Sequence, residues 1–167
     1  MRTLRVLTCS TVLLLVSCSV APSMNRPATG LASRDLSRDQ VAIAGVTIDA
    51  DERTVLKAFG QPIEVQAERD GITEQPARRL IYEGLVVYLV EGKVHNLKCS
   101  VPAFATADGV RVGDPVTKVL GVYGGGERYR AEKGEILRYR LAGRDVYLVF
   151  HLLADRVSMV ELWFDHT

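Results

Sequence analysis

Residues 45–60 are met again, without a gap, at residues 109–124. Val46 falls on Val110, Ile48 on Val112, Val55-Leu56 on Val119-Leu120 and Phe59 on Tyr123, with Gly45 and Gly60 falling on Gly109 and Gly124. Further along, Tyr82 and residues 86–90 align with Tyr139 and residues 145–149, and Val94 and Leu97 with Val157 and Val160. An ordered series of this kind marks a unit used twice, each copy burying apolar surface against the other. It limits the folds open to this chain more than any other feature does.

Each copy opens on a helix signal. In the second, Asp114 is the expected cap and Pro115 suits the first turn, where its missing N–H costs nothing. In the first, Asp49 is the expected cap, with Glu52 three residues on. Val55, Leu56 and Phe59 make one apolar stripe, and Val119, Leu120 and Tyr123 make the other. Gly60 and Gly124 are expected to end these helices as left-handed residues. Strand patterns follow at residues 80–82, 85–90 and 94–99, and again at 129–131, 136–141, 145–152 and 157–164. Short glycine-bearing turns join them, which predicts antiparallel pairing. The expected fold class is α+β: two tandem helix-plus-antiparallel-hairpin repeats, helices packed on one face of a mainly antiparallel sheet. The boundaries expected are a signal at 1–17, a tether at 18–40, a first αβ repeat at 41–102 and a second at 103–167.

The N-terminus reads as an address. Arg2 and Arg5 precede an apolar run over residues 6–16, and Leu15-Val16-Ser17-Cys18 follows. A basic start, a short apolar stretch and a small residue before the cut describe an export signal. The run is shorter than the roughly 20 apolar residues a bilayer span requires. Leu-Val-Ser-Cys also resembles the lipobox of bacterial lipoproteins, which implies a diacylglyceryl group on Cys18. Pro22 disfavours the competing small-x-small cut at residues 19–21. Ser19 is not the aspartate associated with inner-membrane retention, so the expected destination is the outer membrane, facing the periplasm. Residues 19–40 are small and polar, with too little apolar surface to offset their ordering entropy. As a flexible tether they would span on the order of 25 Å. Residues 36–45 also suit a short helix or strand.

Loss of the signal leaves 150 residues and, without Arg2 and Arg5, turns the formal charge of +1 into −1. That size is enough for one domain or two small repeats sharing a core. Near-neutrality argues against nucleic acid, whose binders are strongly basic. With Cys9 lost and Cys18 acylated, Cys99 has no partner, and its apolar surroundings predict a buried, inert thiol.

No catalytic constellation is legible, and no metal or cofactor is expected. His95, His151 and His166 share no ligand spacing. Gly124-Gly125-Gly126 follows a helix instead of opening one and lacks the Lys-Ser/Thr of a phosphate loop. The expected function is therefore non-enzymatic. Two surfaces are candidates for a protein partner. In the last strand Val160, Leu162 and Phe164 should face the helices, leaving Met159 and Trp163 on the other side of the sheet. Residues 85–90 and 146–153 are apolar on both faces, with Tyr88 and Tyr147 at matching places. A sheet covered on one side should be polar on the other. The apolar surplus is either a binding face or is covered by the long loop at residues 68–77 or by the other repeat. The second candidate is the ribbon at 127–140, where alternation would put Tyr129, Leu137 and Tyr139 inward and Arg128, Arg130, Arg138 and Arg140 outward. Glu127, Glu132 and Glu135 offer these arginines cross-strand partners instead.

The Gly-Val-x-Val-Gly-Asp…Val-Leu…Tyr-Gly helix and the hairpins after it resemble the unit of SmpA/OmlA-type lipoproteins. They also resemble the unit of the beta-lactamase inhibitory protein, which holds two tandem copies. The resemblance covers roughly residues 45–164. It implies a periplasmic protein–protein binder, either an assembly or scaffold component or an inhibitor or immunity protein against a hydrolase or toxin. The SmpA/OmlA unit is normally single with a pair of helices before its strands, and the inhibitor is disulfide-bonded and not lipidated.

Overall fold

A computed structural model describes residues 35–165. The expected signal, Cys18 and the tether as far as residue 34 lie outside the described residues, as does His166. Helix α1 spans Glu52–Phe59 and is followed by strands β1 (Glu64–Arg69), β2 (Pro76–Tyr82), β3 (Leu85–Val90) and β4 (Lys93–Cys99). Helix α2 spans Val116–Tyr123 and precedes β5 (Glu127–Arg130), β6 (Glu135–Arg140), β7 (Val146–Leu153) and β8 (Arg156–Phe164). All eight strands form one sheet in the order β1-β2-β3-β4-β8-β7-β6-β5. Every neighbouring pair is antiparallel.

This corrects the expected pair of helix-plus-hairpin repeats. The fold is a single continuous sheet, and its helices are only eight residues each. Two causes account for it. Strands β4 and β8 would each be an exposed edge if their meanders stood apart. Pairing Leu97 with Leu162 and Cys99 with Val160 removes both edges and joins the apolar faces. The helices, for their part, carry two turns of apolar stripe and stop at Gly60 and Gly124. Both glycines have positive φ (79° and 77°) with extended ψ, not the left-handed helical geometry expected.

The helix starts also differ from expectation. Asp51, not Asp49, caps α1, accepting from Thr54 N at 2.8 Å. Asp49 instead takes φ 65° in the preceding turn and meets Arg144 at 2.6 Å. Pro115 occupies the cap of α2, and Asp114 accepts from Arg111 N and Lys118 Nζ. Residues 64–69 form a strand that no apolar alternation announces. Their side chains are exposed throughout, so pairing with β2 alone defines them.

The core lies between one face of the sheet and a layer made of both helices and the segments that lead into them. Leu36, Val41, Ile43, Val46 and Ile48 are buried there, as are Val110, Val55 and Val119. Leu36 bridges Leu141 through Arg140 O and Ala142 N, so the end of the expected tether docks on the sheet. Tyr123, Tyr139 and Phe150 form a ring cluster with centroids 5.4–6.0 Å apart. Burying such rings dominates the energetics of a small core. Cys99 is buried in this layer, its thiol 3.3 Å from Val101 O, and burial pushes its pKa up.

Candidate functional site

Among the described residues, no layer of secondary structure covers the opposite face of the sheet. Register places one continuous row of side chains across seven strands of that face. It runs Gln66, Arg79, Tyr88, Asn96, Trp163, Tyr147 and Arg140. A parallel row holds Lys98, Glu161, Val149, Arg138 and Glu127, and Met159, His151, Ile136 and Tyr129 lie beyond it. The seam where β4 meets β8 therefore lies in the middle of the face. Trp163 (41% exposed) and Tyr129 (44%) stand out from it, and Tyr147 and Val149 are buried between their neighbours.

Two clusters hold the face rigid. In the first, Arg138 lies over the ring of Tyr129 (4.9 Å to the centroid) and over that of Tyr147 (4.3 Å). Its Nε and Nη2 both donate to Glu127 Oε2, at 2.9 and 2.7 Å, and Nη2 also donates to the Tyr129 hydroxyl at 2.7 Å. A cation between two rings and a carboxylate is fixed in position as well as neutralised. Burial works to raise the pKa of Glu127, but the bonds from Arg138 and Tyr129 outweigh it and hold the carboxyl below its usual range.

The second cluster centres on Glu161, whose side chain is only 9% exposed. Asn96 Nδ2 donates to Oε1 at 2.9 Å, Lys98 Nζ lies 3.3 Å from the same oxygen, and His151 Nε2 lies 3.1 Å from Oε2. Burial pushes this carboxyl's pKa up, and the bonds from His151 and Asn96, with the charge of Lys98, bring it down below the ordinary value. A buried carboxylate so bonded stays ionised and costs little.

Of the residues expected at a binding surface, Tyr88, Tyr147, Met159 and Trp163 do share the open face. Arg138 and Arg140 join them. Arg128 and Arg130 do not, and the expected ribbon of four arginines on one side is corrected. The four-residue connection at 131–134 pairs Arg130 with Glu135 and Arg128 with Leu137, so side-chain parity changes across the turn. Arg128 and Arg130 consequently point to the helix side, and Tyr129, expected inward, points to the open side. The loop at 68–77 does not cover the sheet. It forms the β1–β2 turn, and Asp70 reaches back to accept from the Tyr88 hydroxyl at 3.2 Å. Tyr88 is thus tied down, unlike Trp163.

Sequence reasoning missed the Glu161 cluster. The one signal was an acid set inside an otherwise apolar strand; Asn96 and Lys98 come from β4 and His151 from β7, and the adjacency of β4 to β8 is revealed by no local pattern. A shallow depression of about 240 Å³ borders the face beside Gly84, between Tyr82, Val86, Lys98 and Met159. Among the described residues, no group of three or more His, Cys, Asp or Glu side chains is placed to hold a metal ion, and no helix is long and apolar enough to cross a membrane.

No family model and no curated protein matches the chain. Solved structures do. A cysteine-rich secretory protein from Staphylococcus aureus matches at TM-score 0.51 and 10% identity, over 77% of this chain and 48% of its own. An extracellular protein containing an SCP domain from Bacillus anthracis matches at 0.48 and 11%, over 71% and 44%. The uncharacterized protein yfeY from Escherichia coli matches at 0.45 and 12%, over 79% and 100%. The chain spans about half the length of the first two. At these identities the Staphylococcus match speaks to fold alone, and the other two carry no argument.

Proposed function

We propose that this chain is a non-enzymatic envelope lipoprotein that binds a protein partner through the open face of its sheet. The observation that carries the reading is the setting of Trp163 and Tyr129. Both stand exposed beside Tyr147 and Arg138, on a face whose groups are already held by Glu127, Glu161 and Asn96. Aromatic and arginine side chains on a rigid platform bind with little ordering cost. Because Arg138, Lys98, Arg140 and Arg79 each have an acidic partner, recognition there rests on shape and apolar contact more than on net charge. The basic start, short apolar run and Leu-Val-Ser-Cys support lipid attachment at Cys18 and an outer-membrane location facing the periplasm.

Site-specific photo-crosslinking in intact cells tests the proposal. A photoreactive residue at Trp163 or Tyr129 should give one discrete envelope-protein adduct, and the same residue at Lys57, on the helix side, should give none. Trp163→Ala should abolish the adduct formed from position 129. Adducts from Lys57 alone, or none from either face, would overturn the binding surface. Full retention of the Cys18→Ser protein in the membrane fraction would overturn the anchor.

A further inference from the structure

The two outer edges of the sheet are finished differently. Strand β5 is four residues long, and Leu36 continues its line: Leu36 N donates to Arg140 O at 2.7 Å and Ala142 N donates to Leu36 O at 2.9 Å. Leu141 N is turned the other way, to Val146 O, so Arg140 O and Ala142 N face the β5 side of β6 and are used up there. Strand β1 is the longer of the two edge strands. It is six residues long, exposed throughout, and in unbroken register with β2; the sheet's irregularities lie at Tyr88/Leu89 and His151/Leu152. It contains no proline and no lysine, and its charge lies on Glu64, Glu68 and Arg69.

The free backbone groups of β1 can be named. Pro76 O accepts from Glu91 N, so it points to the β3 side. Alternation then turns Ala77, Arg79 and Ile81 toward β1, where they pair with Glu68, Gln66 and Glu64. The N–H and C=O groups of Val65, Ala67 and Arg69 are left pointing outward. Exposed apolar side chains flank this row at Ile63 (76%) and Val65 (44%).

We infer that the β1 edge accepts one further strand from a protein partner, an extended segment in which basic residues alternate with apolar ones. A strand laid against β1 meets Glu64, Gln66 and Glu68 on the open-face side, with Glu68 also bridged to Arg79 at 3.0 Å, and Val65, Ala67 and Arg69 on the helix side. Opposite charges across a strand pair are favourable and like charges are not. Main-chain bonds supply the affinity, and the alternate side chains supply the selection. A second copy of the chain is a poor occupant. Two β1 strands related by a two-fold axis and centred on Gln66 would set Glu64 against Glu68. The opposite edge, β5, would bring Glu127 and Tyr129 to the same side as the β1 glutamates. This inference is independent of the open-face reading, because it uses backbone groups at the rim.

The test is amide hydrogen exchange on the full chain with a capped peptide of alternating lysine and valine, matched in length to β1. Exchange at Val65, Ala67 and Arg69 should slow severalfold on saturation, while exchange at Gln66 stays as it was. A glutamate-valine peptide should have no effect, and neither should a lysine-valine peptide N-methylated at alternate residues. In the E64K/E68K protein, whose changes are at exposed positions, the preference should invert toward the glutamate peptide. Trp163→Ala should leave all of this intact. No slowing with the lysine peptide, or slowing that survives N-methylation, would overturn the inference. Slowing in peptide-free protein that grows with concentration would overturn it too, by assigning the edge to a second copy.

Discussion

In the β1–β4 half of the sheet, Glu52 N donates to Gly92 O at 3.1 Å, Val94 N to Ala50 O at 2.9 Å, and the Tyr82 hydroxyl to Gly60 O at 3.3 Å. In the β5–β8 half, Val116 N donates to Asp155 O, Val157 N to Asp114 O, both at 2.9 Å, and the Tyr139 hydroxyl to Gly124 O, also at 2.9 Å. The backbone scheme that docks each helix is the same, although Asp51 caps one helix through its side chain and Pro115, at the cap position of the other, makes no such bond. The outward surfaces are not the same. Asp70 restrains Tyr88 and Glu68 restrains Arg79 in the first half, and Tyr129 and Trp163 project from the second. Main-chain geometry tolerates wide change in side chains as long as the glycine and apolar positions stay put. The exposed face and the rim are free to diverge, and in this chain they carry the candidate binding groups.

The strongest way to break that comparison is to cut the seam that joins the halves. Leu162 is fully buried between Leu97 and Leu148. Leu162→Ala should cost about 3 kcal/mol, from lost burial and the cavity left behind. Denaturation should remain a single transition, with β3 and β7 amides losing protection together. Loss confined to one half would mean that the halves fold separately.

A smaller effect should separate the two cation–aromatic contacts. Arg138 is held by two rings and a carboxylate, and Arg138→Ala should cost about 1–2 kcal/mol in chemical denaturation. Arg79 lies 5.9 Å from the Tyr88 ring and meets Glu68 at an exposed site, so Arg79→Ala should cost no more than about 0.5 kcal/mol. Equal losses would remove the distinction drawn between the halves.

Acid should loosen the β1–β2 turn. The backbone N–H and hydroxyl of Thr73, with Tyr88 and Ile72 N, hold the Asp70 carboxyl down at about 2, against an ordinary 3.8. A depressed carboxyl stabilises the fold above pH 3.8 and loses that contribution as pH falls toward 2. Stability measured over this window should drop, and Asp70→Asn should flatten that part of the curve. Glu161 gives the same sign at the seam, so Asp70→Asn and Glu161→Gln together should flatten it further.

The smallest effect concerns the caps. Asp51→Ala removes the bonds to Thr54 N and Oγ1 and should quicken amide exchange at the start of α1 only. Asp114→Ala removes an exposed contact with Lys118 and the bond from Arg111 N, and should leave α2, which has no side-chain cap to lose, exchanging as before.

Much of the inward face was legible from residue order. The alternation of Val160, Leu162 and Phe164, and that of Leu97 and Cys99, assigns the core side correctly, and residues 85–90 match β3 at both ends. The split of Met159 and Trp163 from the core follows from the same period of two. Two errors have one origin. Alternation counted through a turn puts Arg128 and Arg130 on the wrong face, and residues 64–69 carry no strand signal of their own, because both depend on which residue lies opposite.

Local pattern in this chain established where both helices and every strand but β1 form, which glycines end the helices and which side chains seek the core, since those choices rest on spacing within a few residues. Joining β4 to β8, docking Leu36 on the end of β6 beyond β5 and assembling Asn96, Lys98 and His151 around Glu161 were decided only in three dimensions. Each of these brings together residues far apart along the chain, and the balance of edge pairing, burial and charge that selects them does not exist until the sheet has formed.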